Sequence, residues 1–161
     1  MSLGEDLPIA GFEDMLEYLR FFAAPELLDE VRNPGSDTRS NAWRAFLRET
    51  DSDPTTPEHE PLREYFRRLR SANEQYREEG VPGWRTDRGM VYAALGQPDS
   101  VGQSRDDADM RGRTMVWFNQ KHTAEISFVD QSGFGRWRLT PASDSAFQRL
   151  TRRLTACPVC R

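Results

Sequence analysis

The sequence predicts an α+β fold, and three features carry the prediction. Apolar residues recur at helical spacing through the first half of the chain, the period shortens towards two after about Gly83, and helical spacing returns from Pro141. Helices followed by short strands and then a helix describe N-terminal helices packed on an antiparallel meander of three to four strands, with a C-terminal helix. At 161 residues the chain has the size of one domain. The expected layout is a helical part over 10–80, a junction and sheet over 83–140, and a closing helix and tail over 141–161.

The first helix is read from Phe12, Met15, Leu16, Leu19 and Phe22, with Glu13 and Asp14 in its first turn, where carboxylates suit the helix dipole. Pro25 opens a second, short helix through Leu27, Leu28 and Val31, and Asn33-Pro34-Gly35 stops it. Trp43, Phe46 and Leu47 mark a third over Asn41–Arg48. The turn formers Asp51 to Pro57 then break the pattern. The longest helix is expected over Pro57–Glu79, capped by Thr55 or Thr56 with Glu58 completing a capping box. Its inward stripe is Leu62, Tyr65, Phe66, Leu69, Ala72, Asn73 and Tyr76, and Gly80 and Pro82 end it.

Beyond Gly83 the expected strands are Met90–Leu95, Thr114–Phe118, Thr123–Val129 and a last one through Trp137 and Leu139. The alanines at 93 and 94 leave a short helix open for the first of these. Gly96-Gln97-Pro98-Asp99 reads as a turn, Ser104–Gly112 as a charged loop, and Asp130–Gly135 as a glycine-rich loop. Ala146, Phe147, Leu150 and Leu154 place the closing helix.

Composition excludes several classes of function. Net charge is -4 and the arginines are dispersed, which argues against a nucleic-acid partner. Aromatic residues at 11% argue against a disordered chain. No window approaches the ~20 apolar residues of a membrane span. The start, Met1 to Asp6, lacks the basic and apolar regions of an export signal. Met1-Ser2-Leu3 also fits the edge of an excised domain, so compartment stays open. Cys157-Pro158-Val159-Cys160 is a lone pair that could be half a zinc site, a redox pair or inert thiols in a tail; the tail reading is preferred, and Cys157 and Cys160 are the weak metal candidates.

The most specific stretch is Pro82-Gly83-Trp84-Arg85-Thr86-Asp87-Arg88-Gly89-Met90-Val91-Tyr92, followed by Leu95-Gly96-Gln97-Pro98-Asp99. It resembles the signature of the GWxTD domain family, bacterial proteins named for that pentapeptide. The resemblance extends upstream through Trp43 and Phe46, Asp53 to Glu60, and Arg70, Ala72 and Asn73, so that roughly 40–140 is covered. His59, Gln97 and Met90 depart from the residues the family often carries, asparagine, proline and a basic residue. The resemblance implies a largely uncharacterised domain of the bacterial periplasm, envelope or secreted fraction.

Read physically, the signature is first a joint. Gly83 and Gly89 would supply backbone conformations that other residues resist, Trp84 would bury its ring between the long helix and the sheet, and Asp87 would accept from neighbouring N–H groups in a turn. Arg88 would pair with Asp87, Asp99 or a helix carboxylate. The sharper reading gathers Glu60, Trp84, Asp87, Arg88, Tyr92 and Asp99 as a binding surface. Within it Glu60, Asp87 and Asp99 could act as paired carboxylates for a hydrolase or a metal-dependent enzyme. His59, between Glu58 and Glu60, is a further metal candidate or an exposed residue at a helix start. No nucleophile elbow, phosphate loop or paired-histidine zinc motif occurs. The expectation is therefore no catalytic residue, no metal and no cofactor, and a non-catalytic interaction or structural module whose partner is another protein or the other domains of a longer parent chain.

Overall fold

A computed structural model of the chain describes residues 11–36, 38–105 and 112–156. Cys157 and Cys160 lie outside the described residues, as does most of the expected loop over 104–112. Among the described residues there are six α-helices and one four-stranded antiparallel sheet, which is the α+β class the sequence predicts. They form two compact units. One holds the described residues up to Arg67 together with those from Thr151, and the other holds Arg68–Leu150.

The first unit begins with α1 (Phe12–Tyr18), which tightens into a 3-10 turn over Leu19–Phe21. Pro25 occupies the first position of α2 (Pro25–Arg32), where its missing N–H is not needed. Thr38 caps α3 (Arg39–Thr50) by accepting from Asn41 N at 3.3 Å. The core centres on Phe22, whose ring lies 6.2 Å from Phe46 and 5.3 Å from Tyr65. The buried Tyr65 hydroxyl donates to the Tyr18 carbonyl at 2.6 Å, so this core aromatic leaves no polar atom unsatisfied.

The long helix, α4 (Glu60–Gln75), starts three residues later than expected and ends four earlier. Its cap is neither threonine. Asp53 holds the preceding turn closed by accepting from Thr55 N at 3.0 Å, and the Thr56 hydroxyl also lies 3.0 Å from the Glu58 carbonyl. The cap is His59, whose Nδ1 accepts from Leu62 N at 3.2 Å. Because that nitrogen accepts, the proton sits on Nε2, which faces the Thr50 hydroxyl at 3.0 Å; Thr50 in turn donates to the Phe46 carbonyl at 2.8 Å. His59 is buried, not exposed, because its ring closes the end of α3 against the start of α4.

In the second unit the last turns of α4 lead through a reversal in which Glu78 and Val81 exchange backbone hydrogen bonds, with Gly80 at φ +73°. A 3-10 turn over Gly83–Arg85 follows, then α5 (Asp87–Leu95). The strand expected over Met90–Leu95 is thus a helix. Val91, Tyr92, Ala93 and Leu95 are all buried, so burial on every side hides the period that would separate the two. Thr86 decides the matter by capping α5 from the Gly89 amide, and Gly96, at φ +86°, ends it.

The sheet order is β1-β2-β3-β4, with β1 over Ser100–Arg105, β2 over Arg113–Asn119, β3 over Ala124–Asp130 and β4 over Arg138–Leu139. Strand β1 is not among the expected strands, and its last two residues fall in the expected loop. With Val101 as its one large apolar residue, this edge strand carries no alternation to read. Met115 opposite Phe128 and Trp117 opposite Ile126 form the buried face. Thr140 caps α6 (Pro141–Ala156) by accepting from Ser143 N at 3.3 Å, and Ser143 Oγ accepts from Ser127 N at 2.8 Å, extending the short β4 ladder. Among the described residues no helix is long and apolar enough to cross a membrane.

Replacing His59 by alanine removes the α4 cap and leaves Thr50 without its partner, so a loss of about 2 kcal/mol is expected in urea unfolding. His59→Asn, which can restore the cap alone, should recover about half of that loss.

Candidate functional site

The signature forms a joint built on backbone contact. A Cβ on Gly83 would overlap the Ala72 carbonyl and reach Asn73 O at 2.5 Å, and one on Gly89 would overlap the Gly83 carbonyl. Neither glycine adopts the left-handed backbone region. Their requirement is space, and not the unusual conformation the sequence suggests. Thr86 stands at the centre. Its hydroxyl accepts from Gly89 N at 3.1 Å and lies 2.8 Å from the Gly83 carbonyl and 3.1 Å from the Tyr76 carbonyl, either of which can take its proton. Trp84 is buried, and the Arg85 guanidinium lies 4.7 Å from its ring centre.

The polar residues after Thr86 bind elements distant in sequence. Asp87 accepts from Leu139 N of β4 at 2.7 Å, and not from a neighbour in its own turn. Arg88 lies 3.9 Å from Glu78, a carboxylate beyond the end of α4, and its guanidinium lies over Tyr76 and Trp137 at 5.4 and 5.7 Å from their ring centres. Glu78 is buried and accepts from Trp137 N at 3.1 Å and from Arg138 at 2.9 Å. Burial lowers the Arg88 pKa, an effect that Glu78 opposes. Burial raises the Tyr76 pKa to about 12, helped by Tyr92, whose ring is 5.3 Å away, and opposed by Arg88. Tyr76 therefore stays protonated at neutral pH.

A second buried carboxylate completes the cluster. Asp130 accepts from Arg113 at 2.6 Å, Ser132 Oγ at 2.7 Å, Gly133 N at 3.0 Å and Gly135 N at 2.7 Å. Burial alone would raise its pKa, but these donors outweigh burial and hold it below the ordinary carboxylate range. Arg113 also lies 5.3 Å from the centre of the Trp137 ring. Two guanidinium groups, each paired with a buried carboxylate, thus lie near one indole.

Of the residues expected to form a binding surface, the fold joins Arg88 and Tyr92 through Tyr76. The three carboxylates take separate partners. Glu60, in the first unit, accepts from Thr56 Oγ at 3.0 Å, Asp87 is held by β4, and Asp99 accepts from Gln120 N at 2.6 Å at the start of the β2–β3 hairpin. Among the described residues no three His, Cys, Asp or Glu side chains are placed to hold a metal ion. The residues missed in the sequence are Glu78, Arg113, Asp130 and Trp137. For Asp130 a signal exists, since Asp-x-Ser-Gly-x-Gly is a pattern for a carboxylate gathering loop amides. Glu78 sits in a run of charges and carries none.

Gly89→Ala is expected to cost about 3 kcal/mol or to prevent folding, whereas Gly102→Ala, which meets open space in β1, should stay within about 0.5 kcal/mol in the same thermal unfolding assay. For Asp130 the native state favours the ionised form, because the folded pKa lies below the ~3.9 of an unfolded aspartate. Its stabilisation is complete above about pH 5 and is lost as pH falls through that window towards the folded value. Asp130→Asn should therefore flatten the acid limb of a stability-versus-pH curve and lower stability at pH 7 by about 3 kcal/mol.

No curated protein and no solved structure matches the chain. The GWxTD domain profile matches residues 7–133, beginning upstream of α1 and ending in the Asp130 loop. That span covers the helical part, the joint and three of the four strands, and the chain belongs to the GWxTD domain family.

Proposed function

We propose that the chain is a non-catalytic interaction or structural module of a bacterial envelope or secreted protein, acting on another protein or on other domains of its parent chain. One observation carries the reading. Three polar side chains of the signature make contacts within the fold: Thr86 with the Gly83 and Gly89 backbone, Asp87 with Leu139 N, and Arg88 with two rings and, at 3.9 Å, with Glu78, although its Nε meets no acceptor among the described residues. An acid-base residue needs a free proton position facing substrate. Asp87 Oδ2 accepts the Leu139 N–H at 2.7 Å and so ties α5 to β4.

Exposed apolar residues favour contact with a partner. Val101 and Phe118 on the sheet and Phe134 in the β3–β4 loop are large side chains left at the surface. The bacterial envelope or secreted setting is supported by family membership alone.

The test pairs stability with capture. Asp87→Asn in the intact chain should lower the melting temperature, and retention of a partner from an envelope extract should fall only as far as the folded fraction does. A panel of ester, glycoside and phosphate substrates, with and without divalent metal, should show no turnover. Turnover abolished by Asp87→Asn or Asp99→Asn at unchanged stability would establish the carboxylate enzyme instead.

A further inference from the structure

The loop between β3 and β4 holds an aromatic ring in water on a fixed backbone. Phe134 is 90% exposed, the most exposed large apolar residue among those described. Around it nothing is loose. Asp130 binds the amides of Gly133 and Gly135 and the Ser132 hydroxyl, Ser132 Oγ accepts from Phe134 N at 3.2 Å, and Arg113 donates to the Gly133 carbonyl at 3.2 Å. Gly133 and Gly135 supply left-handed backbone at φ +75° and +86° on either side of the phenylalanine. These bonds form the turn without using the Phe134 ring. A turn alone would be served as well by a polar residue at 134.

The charges beside the loop are sorted by depth. Arg113, Arg136 and Arg138 have side chains 44, 56 and 51% exposed, whereas the carboxylates behind them, Asp130 and Glu78, are 0 and 3% exposed. Among the described residues Glu79 is the exposed carboxylate paired with these arginines, 3.5 Å from Arg136. A guanidinium has five donors, and one carboxylate uses one or two of them, so the outward edges remain able to take further carboxylates.

We propose that the Phe134 loop is a docking element for a segment of a protein partner that presents apolar side chains flanked by carboxylates. The proposal rests on the interaction-module reading and names the surface and the partner chemistry within it. A ring on a rigid loop loses little entropy when it is covered, and aromatic residues with arginine neighbours are the composition of energetic centres in protein interfaces. A membrane surface fits less well, because one ring and a few paired arginines fall short of the two anchoring signals that stable attachment takes.

The experiment selects a random-peptide phage library on the intact chain and measures recovered peptides against it, against Phe134→Ala and against Arg136→Glu. The expected peptides combine aromatic or aliphatic residues with Asp or Glu. Their affinity should fall about ten-fold or more in each variant, with melting temperature unchanged. The proposal is overturned if no peptide is recovered, if the peptides lack acidic residues, or if either variant binds them as well as the parent. It is likewise overturned if Phe134 matters only for binding to phosphatidylcholine–phosphatidylglycerol vesicles. A partner captured equally by the parent and by Phe134→Ala would remove this docking element while leaving the interaction module standing.

Discussion

The second unit depends on one close backbone approach, that of the first turn of α5 to the Gly83 carbonyl. There is no room for a methyl group at Gly89 or at Gly83, so main chain of the last turns of α4, the 3-10 turn and α5 comes into direct contact. Thr86 supplies the donor and the acceptor that the geometry requires, bonding towards Gly83 and Tyr76 on one side and to the Gly89 amide on the other. A serine could make these bonds, but with less restriction at χ1. The residue after it, Asp87, extends the same economy to the sheet by capping the Leu139 amide, which a two-residue strand leaves in need of a partner.

Around this joint the unit buries charge with its compensation attached. Glu78 and Asp130 would be costly inside the protein as isolated ions. Glu78 instead receives one backbone amide and Asp130 two, each with a guanidinium besides, and Trp137 lies against both Arg88 and Arg113. Breaking such an arrangement at one member exposes the cost of the others, so its contribution is to uniqueness of the fold as much as to stability. The same arrangement turns guanidinium edges outward and stiffens the loop that carries Phe134. Structure and surface chemistry here have a common origin in Asp130.

Legibility in the sequence followed the kind of burial involved. Helices with one apolar face, such as α2 and α3, showed their period, and β2 and β3 showed theirs. Helix α5 did not, because Val91, Tyr92, Ala93 and Leu95 are buried together and the run fits a strand equally well. Strand β1 was hidden for the opposite reason, having almost no apolar residue to alternate. The start of α4 was misplaced because Thr55 and Thr56 look like caps, while His59 gains that role from a neighbour, Thr50, that only the folded chain brings near.

For the site, the identities of the signature residues were evident and their partners were not. By itself the sequence determined the α+β class, the position of the joint and its membership in a recognisable family, because spacing, turn formers and a contiguous motif are local properties. Tertiary structure alone decided that the two glycines serve closeness, that Asp87 reaches β4, that Arg88 meets Glu78, and that Asp130 gathers a loop around itself. Those are contacts between residues up to 52 positions apart, and no local pattern specifies which donor a carboxylate will meet.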